Sequence, residues 1–248
     1  AIQKMKWTED GWLRMEDGSN FAKQYVDESN IKEYRVEKCP DFDDFDKGEL
    51  GLQYYSPRIM PSSFADVKAR PGYVRIRGQE SRCSLNKVSI LARKLTSVYA
   101  VVTTKMEFIP YVHQHSAGLI MYYDNMNYIY LRKYYSDTLK HSAISVIHLE
   151  NGEKTEFINT RTRVEDSPIY FRLVIEGRKS HFEWSYDGTN YSVIGKIFDT
   201  TKFSDEYCKY GEFTGTFVGI TCADRVLHKH YADFDFFEYI AYEDKNVE

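Results

Sequence analysis

Ala232-Asp233-Phe234-Asp235-Phe236-Phe237-Glu238-Tyr239, near the end of the chain, is the stretch whose reading decides the fold. In an extended segment residues two apart share a face. Phe234 and Phe236, with Ile240 beyond them, are therefore expected to point one way, and Asp233, Asp235 and Phe237 the other. That is a strand with one strongly apolar face, and no other stretch offers a better closing element. The turn-prone run Asp43-Asp44-Phe45-Asp46 opens the same domain, and its two ends are expected to meet.

Working outward, the composition supports one large core. Of 248 residues 42% are hydrophobic and 28% charged, which suits a single all-β domain over most of the length. Aromatic residues make up 16%, and 21 Tyr against 14 Gly point to strands whose amphipathic side chains sit on half-wet faces. The net charge is -4 with both signs interspersed, so neither a nucleic acid nor an anionic membrane is expected as partner. No apolar run approaches the roughly 20 residues that cross a bilayer. Cys39, Cys83, Cys208 and Cys222 are scattered without a C-x-x-C spacing, which fits a reduced cytoplasmic protein. The sequence starts at Ala1 inside what reads as a strand, as a piece cut from something longer would.

Along the chain, 2–7 and 12–15 alternate around Thr8-Glu9-Asp10-Gly11, a hairpin signal. A lone hairpin is marginal in water and needs a partner. The polar stretch 16–40 reads as a linker or long surface connection. Strands are then expected at 74–77, 99–108, 119–123, 128–131, 143–149, 169–175, 181–186, 192–198 and 213–222, separated by turn residues such as Asn151-Gly152 and Asp187-Gly188. Only 201–207 has the pattern of a helical turn. Short strands at this spacing predict an antiparallel sandwich, and no constant period supports a propeller or solenoid built from this chain alone.

In order, Trp7-Thr8-Glu9-Asp10-Gly11-Trp12-Leu13, Asp43-Asp44-Phe45-Asp46, Arg70-Pro71-Gly72-Tyr73-Val74-Arg75-Ile76, Ala92-Arg93, Ala117-Gly118-Leu119, Tyr122-Tyr123-Asp124, Ser185-Tyr186-Asp187-Gly188, Phe213-Thr214-Gly215-Thr216-Phe217-Val218-Gly219 and the closing strand resemble the C-terminal part of family 43 glycoside hydrolases of the β-xylosidase type. The resemblance implies that 41–248 is an antiparallel concanavalin-like jelly-roll β-sandwich. It implies that 1–40 is the tail of a five-bladed catalytic propeller plus its linker. Such enzymes are implied to be inverting, exo-acting hydrolases whose general base, general acid and acid-orienting carboxylates lie on the propeller. No catalytic residue is therefore assigned here, and the expected partners are that propeller and a xylo-oligosaccharide at the domain interface. The resemblance also implies that Phe213 lends an aromatic edge to the propeller's sugar site. The alternative is that Phe213 opens a strand and packs in the core. The chain departs from the family pattern at Arg93-Lys94-Leu95.

Concanavalin-like sandwiches often clip their first and last strands with Ca²⁺, a cation that takes carboxylate and carbonyl oxygens. Asp44 and Asp235 are the candidate ligands, with Asp233 or Asp43 as substitutes, and solvated or turn-capping acids as the alternative. His113-x-His115 and His228-x-His230 have zinc-like spacing but no recognisable third ligand. No Gly-x-Ser-x-Gly turn and no phosphate-cradling glycine loop occurs. The pairs Tyr54-Tyr55, Tyr122-Tyr123 and Tyr134-Tyr135 each send one ring outward if alternation holds. Such rings either line the propeller contact or form the stacking stripe of an autonomous carbohydrate-binding module. The uncovered docking face is also a possible route to a homo-oligomer.

Overall fold

The computed structural model describes residues 3–27, 32, 34, 38–209 and 215–242. The chain divides into two compact units, Ala1–Lys38 and Cys39–Glu248. In the first, β1 (Met5–Trp7) and β2 (Leu13–Met15) pair antiparallel, with Met5 opposite Met15 and Trp7 opposite Leu13. The turn closes because Gly11 adopts the left-handed backbone (φ 80°) that glycine tolerates, and its N–H donates to the Thr8 carbonyl at 2.9 Å.

The second unit holds, in chain order, β3 (Phe42–Asp43), β4 (Ala65–Asp66), β5 (Val74–Arg77), β6 (Ser89–Lys94), β7 (Tyr99–Glu107), β8 (His115–Asp124) and β9 (Asn127–Ser136). It continues with β10 (His141–Glu150), β11 (Glu153–Glu156), β12 (Thr162–Arg163), β13 (Ile169–Glu176), β14 (Lys179–Ser185), β15 (Ser192–Asp199), β16 (Phe217–Asp224) and β17 (Tyr231–Ala241). Short 3-10 turns sit at Pro61–Ser63, Ile158–Thr160 and Thr200–Lys202, the last overlapping the start of the stretch 201–207 where a helical turn is expected.

Two antiparallel sheets result. One runs β11-β10-β9-β8-β16-β6, with β12 also on β10; the other runs β15-β14-β13-β7-β17-β5-β4, with β3 also on β17. The last two strands each enter the middle of a sheet, β16 between β8 and β6, and β17 between β7 and β5. The fold is an all-β antiparallel sandwich whose order cannot close until the C-terminal strands are in place.

The sheets differ in how they treat water. In the eight-stranded sheet β13 alternates, with Ile169, Phe171, Leu173 and Ile175 buried in the shared core and the residues between them half-exposed. In the seven-stranded sheet both faces are covered. Leu119, Met121 and Leu131 face the main core, while Ile90, Ile120, Tyr122, Tyr128, Tyr130, Ile147 and Leu149 form a second cluster on the other face. That second face is roofed by the segment 79–87, where Arg82 Nη2 donates to Tyr130 Oη at 2.6 Å and Cys83 Sγ meets Tyr128 Oη at 3.3 Å.

The closing strand departs from simple alternation. Phe234 pairs with Met106 and Phe236 with Lys105, so Asp235 is an extra residue in the ladder with β7. A bulge of this kind places two consecutive residues on one side and resets the phase. Ala232, Phe234, Phe237 and Tyr239 therefore all point into the core, whereas Phe236 lies outside against Phe42 and Tyr170, and Ile240 is exposed. The expected sharing of a face by Phe234 and Phe236 is thereby corrected, and Phe237 moves from the polar to the apolar face. The two ends of the domain do meet: Asp43 lies opposite Phe237, and Tyr239 N donates to the Asp41 carbonyl at 2.7 Å.

Candidate functional site

An apolar recess of the second unit lies beside the start of β16. The segment before the first 3-10 turn runs along the edge of β6, because Tyr55 N donates to the Ala92 carbonyl at 2.7 Å and Ala92 N returns a bond to Tyr55 O at 3.0 Å. On the other side of β6, β16 approaches closely because residue 219 is glycine: a Cβ there would lie 2.3 Å from the Leu91 carbonyl oxygen. The register sets Phe217 opposite both Lys94 and Tyr122. The outcome is a cavity of about 310 Å³ lined by the buried Ile90 and Tyr122 and, on its more exposed side, by Tyr55 and Phe217. The Tyr55 and Phe217 rings meet edge to face, with centroids 5.8 Å apart.

Two polar features stand at this cavity. Ser56 lines it, and its Oγ is buried with no hydrogen-bond partner among the described residues. Arg58, also in the wall, holds a left-handed backbone (φ 67°), a strained conformation for a residue with a long side chain.

Phe213 falls outside the described residues. From Gly215 the chain is described again: Leu95 N donates to the Thr216 carbonyl at 2.9 Å, and Phe217 opens β16 in the cavity wall.

The carboxylates of the cation candidate are matched with donors of the protein's own. Asp235 binds Lys105 Nζ at 2.6 Å, and Asp44 accepts from Asp46 N at 3.1 Å, capping its own turn. Asp43 accepts from Phe45 N at 3.0 Å. Asp233 receives Arg75 in two bonds of 2.7 and 2.8 Å and Arg70 at 3.3 Å. The bulge separates the functions of the acids, and among the described residues no group of three or more His, Cys, Asp or Glu has the arrangement of a metal site.

The histidine pairs exchange members. His113 meets Asp137 at 3.1 Å, while His115 and His230 stack with ring centroids 4.4 Å apart and an interplanar angle of 22°. His230 Nε2 donates to the Ile109 carbonyl at 2.9 Å, and His115 Nε2 approaches Asp224 at 3.3 Å. Burial holds both imidazoles below their ordinary pKa, and His115 lowers His230 further. Burial opposes ionisation of Asp224, yet four backbone N–H groups from Val226, Leu227, Lys229 and His230 keep it well below the usual carboxylate range.

The tyrosine pairs do not form an exposed stripe. Tyr54, Tyr122, Tyr123 and Tyr134 are buried and Tyr135 is half-buried, so Tyr55, 47% exposed, is the outward ring. Strict alternation fails as a guide to exposure because the second face of the seven-stranded sheet is roofed. Sequence reasoning also missed two buried cations. Arg82 covers Tyr130 at 4.0 Å, and Lys133, fully buried, donates to the carbonyls of Glu165 and Ser167, with burial pushing its pKa down to about 8. Neither stands near a motif that would have announced it.

The sequence model of the β-xylosidase C-terminal concanavalin A-like domain matches residues 42–240. The chain belongs to that family. The span matched by this β-xylosidase C-terminal domain runs from the first to the last strand of the sandwich. Likeness to whole enzymes extends further along the chain. A xylan 1,3-β-xylosidase from Vibrio is 28% identical over 241 residues, covering 97% of this chain and 44% of that protein. A β-xylosidase of Bacillus subtilis is 28% identical, covering 96% of this chain and 45% of that protein. Among solved structures, a xylan β-1,4-xylosidase from Bacillus halodurans superposes with a TM-score of 0.84 at 35% identity, covering 96% of this chain and 46% of that one. The chain thus spans about half the length of the relatives it matches.

Proposed function

We propose that this chain works as the accessory sandwich of a family 43 glycoside hydrolase of the β-xylosidase or α-arabinofuranosidase type, seated on a five-bladed catalytic propeller of the same polypeptide. Hydrolysis of O-glycosyl bonds at the ends of xylo-oligosaccharides is then the propeller's task, and no acid of this chain takes a catalytic role. The observation that carries the reading is the match of a C-terminal domain family over 42–240 in a chain that spans 44% to 46% of relatives called xylosidases. Phe213 is the residue proposed to reach the propeller's sugar site, where an aromatic ring stacks on the apolar face of a sugar and limits the room beyond it. A reducing compartment suits the protein, since Cys39, Cys83, Cys208 and Cys222 are all free thiols.

The test is Phe213→Ala in the full-length enzyme, assayed on xylobiose. Loss of one stacking contact of about 1.4 kcal/mol lowers kcat/KM roughly tenfold, with the melting temperature unchanged. Unchanged kinetics would remove Phe213 from the sugar site.

A further inference from the structure

We infer that the cavity between the Tyr55 to Arg58 segment and the start of β16 is a binding pocket for a single pyranose ring of a neutral xylo-oligosaccharide. The sugar class rests on the proposed function; the pocket itself rests on its own geometry.

Its size is the first ground, since about 310 Å³ stands at the lower end of small-ligand sites. The chemistry of the wall is the second. Sugars are bound through two kinds of contact at once, aromatic faces against the C–H side of the ring and hydrogen bonds to its hydroxyls. Tyr55 and Phe217 supply the rings on the more exposed side, and Tyr122 and Ile90 a buried apolar wall. The Ser56 hydroxyl supplies a buried polar atom that has no hydrogen-bond partner among the described residues. A buried hydroxyl without a hydrogen bond costs about 1–3 kcal/mol, so an occupant that pairs with it is favoured over one that cannot. An alkyl chain would cover the apolar wall and leave Ser56 unmatched. A phosphate-bearing ligand would find no glycine-rich cradle, because 55–58 contains none. A polyhydroxylated ring satisfies both demands. The left-handed Arg58 adds a third ground, since backbone strain of this kind gathers at ligand clamps.

The pocket is thus put forward as a second contact for the saccharide, in addition to the one proposed for Phe213. Isolated, it is a weak site: one stacked ring and one or two hydrogen bonds give an affinity on the order of millimolar.

The experiment is a ¹H–¹⁵N NMR titration of this 248-residue chain with xylobiose, with maltose as comparison. Saturable shifts are expected at the amides of Tyr55, Ser56, Arg58, Ala92 and Phe217, with maltose at least fivefold weaker. Tyr55→Ala, at a half-exposed position that leaves the fold intact, should weaken binding at least tenfold. Ser56→Ala should weaken it about threefold, a hydrogen bond of roughly 0.6 kcal/mol. No saturable shift up to tens of millimolar, shifts located elsewhere, or binding that survives Tyr55→Ala would overturn the inference. The titration contains no propeller, so its failure is distinct from failure of the docking reading, which is decided by association of the two halves.

Discussion

Asp233 is a structural anchor of the closing strand. Its side chain is 7% exposed and holds Arg75 in a bidentate pair, while Arg70 bridges it to Glu107. Asp233→Ala leaves both guanidinium groups without this partner. Since Arg70 and Arg75 are 35% and 28% exposed, the loss should be about 2 kcal/mol, below that of a fully buried pair, as read from urea unfolding. Gly219 makes a different demand. A Cβ there meets main-chain atoms of β6, Leu91 O at 2.3 Å and Ala92 Cα at 2.5 Å, and main chain cannot yield as a side chain does. Gly219→Ala should cost about 2–3 kcal/mol by the same measurement. The acidity of the Asp233 and Asp235 neighbourhood was plain in the sequence, but its arginine and lysine partners lie 130 to 163 residues away. Only the folded ladder brings them together.

At the scale of the element, alternation predicted β17 and missed its bulge. The apolar spacing changes step at Asp235, from Ala232 and Phe234 to Phe237 and Tyr239, and a run of Phe-Asp-Phe-Phe can be divided either way. Deleting Asp235 removes the extra residue and leaves every inward side chain on its face. The shortened chain should fold cooperatively and lose about 1–2 kcal/mol, largely the ion pair with Lys105. Deleting Glu238 instead turns Tyr239 outward, breaks its hydroxyl contact with Thr96 N at 2.8 Å and brings Ile240 inward. Cooperative unfolding kept by the second deletion and lost by the first, compared by thermal denaturation, would contradict the bulge assignment. The covered second face of the seven-stranded sheet was illegible for a related reason. Nothing in Tyr122-Tyr123 shows that 79–87 will lie over one of the two rings.

For the whole molecule, pH reports on how the buried imidazoles are held. His115, His148 and His230 all have pKa values lowered in the fold, chiefly by burial. Below about pH 6.5 the unfolded chain takes up these protons more readily than the folded one. Their contribution is therefore fully present above that pH and is lost as the pH falls toward the folded-state values. The melting temperature should drop between pH 7 and 5, and His230→Gln should flatten that drop. The depressed carboxylates Asp224, Glu150 and Glu156 act in a lower window, beneath the ordinary carboxylate range near about 4, where protonation removes their stabilisation.

The same scale carries the functional claim. The sandwich was legible because turn chemistry and alternation recur along the chain, and the family because its motifs stand in order through the matched residues 42–240. The recess beside Phe217 was not, because it is made by the meeting of a loop, an edge strand and a late strand. The most direct measurement is association of this chain with the proposed catalytic propeller, expressed separately, followed by size-exclusion chromatography and xyloside hydrolysis. Docking predicts a one-to-one complex that co-elutes and hydrolyses the xyloside, with this chain alone inactive. Two species that elute apart at micromolar concentration, or hydrolysis by this chain alone, would contradict it.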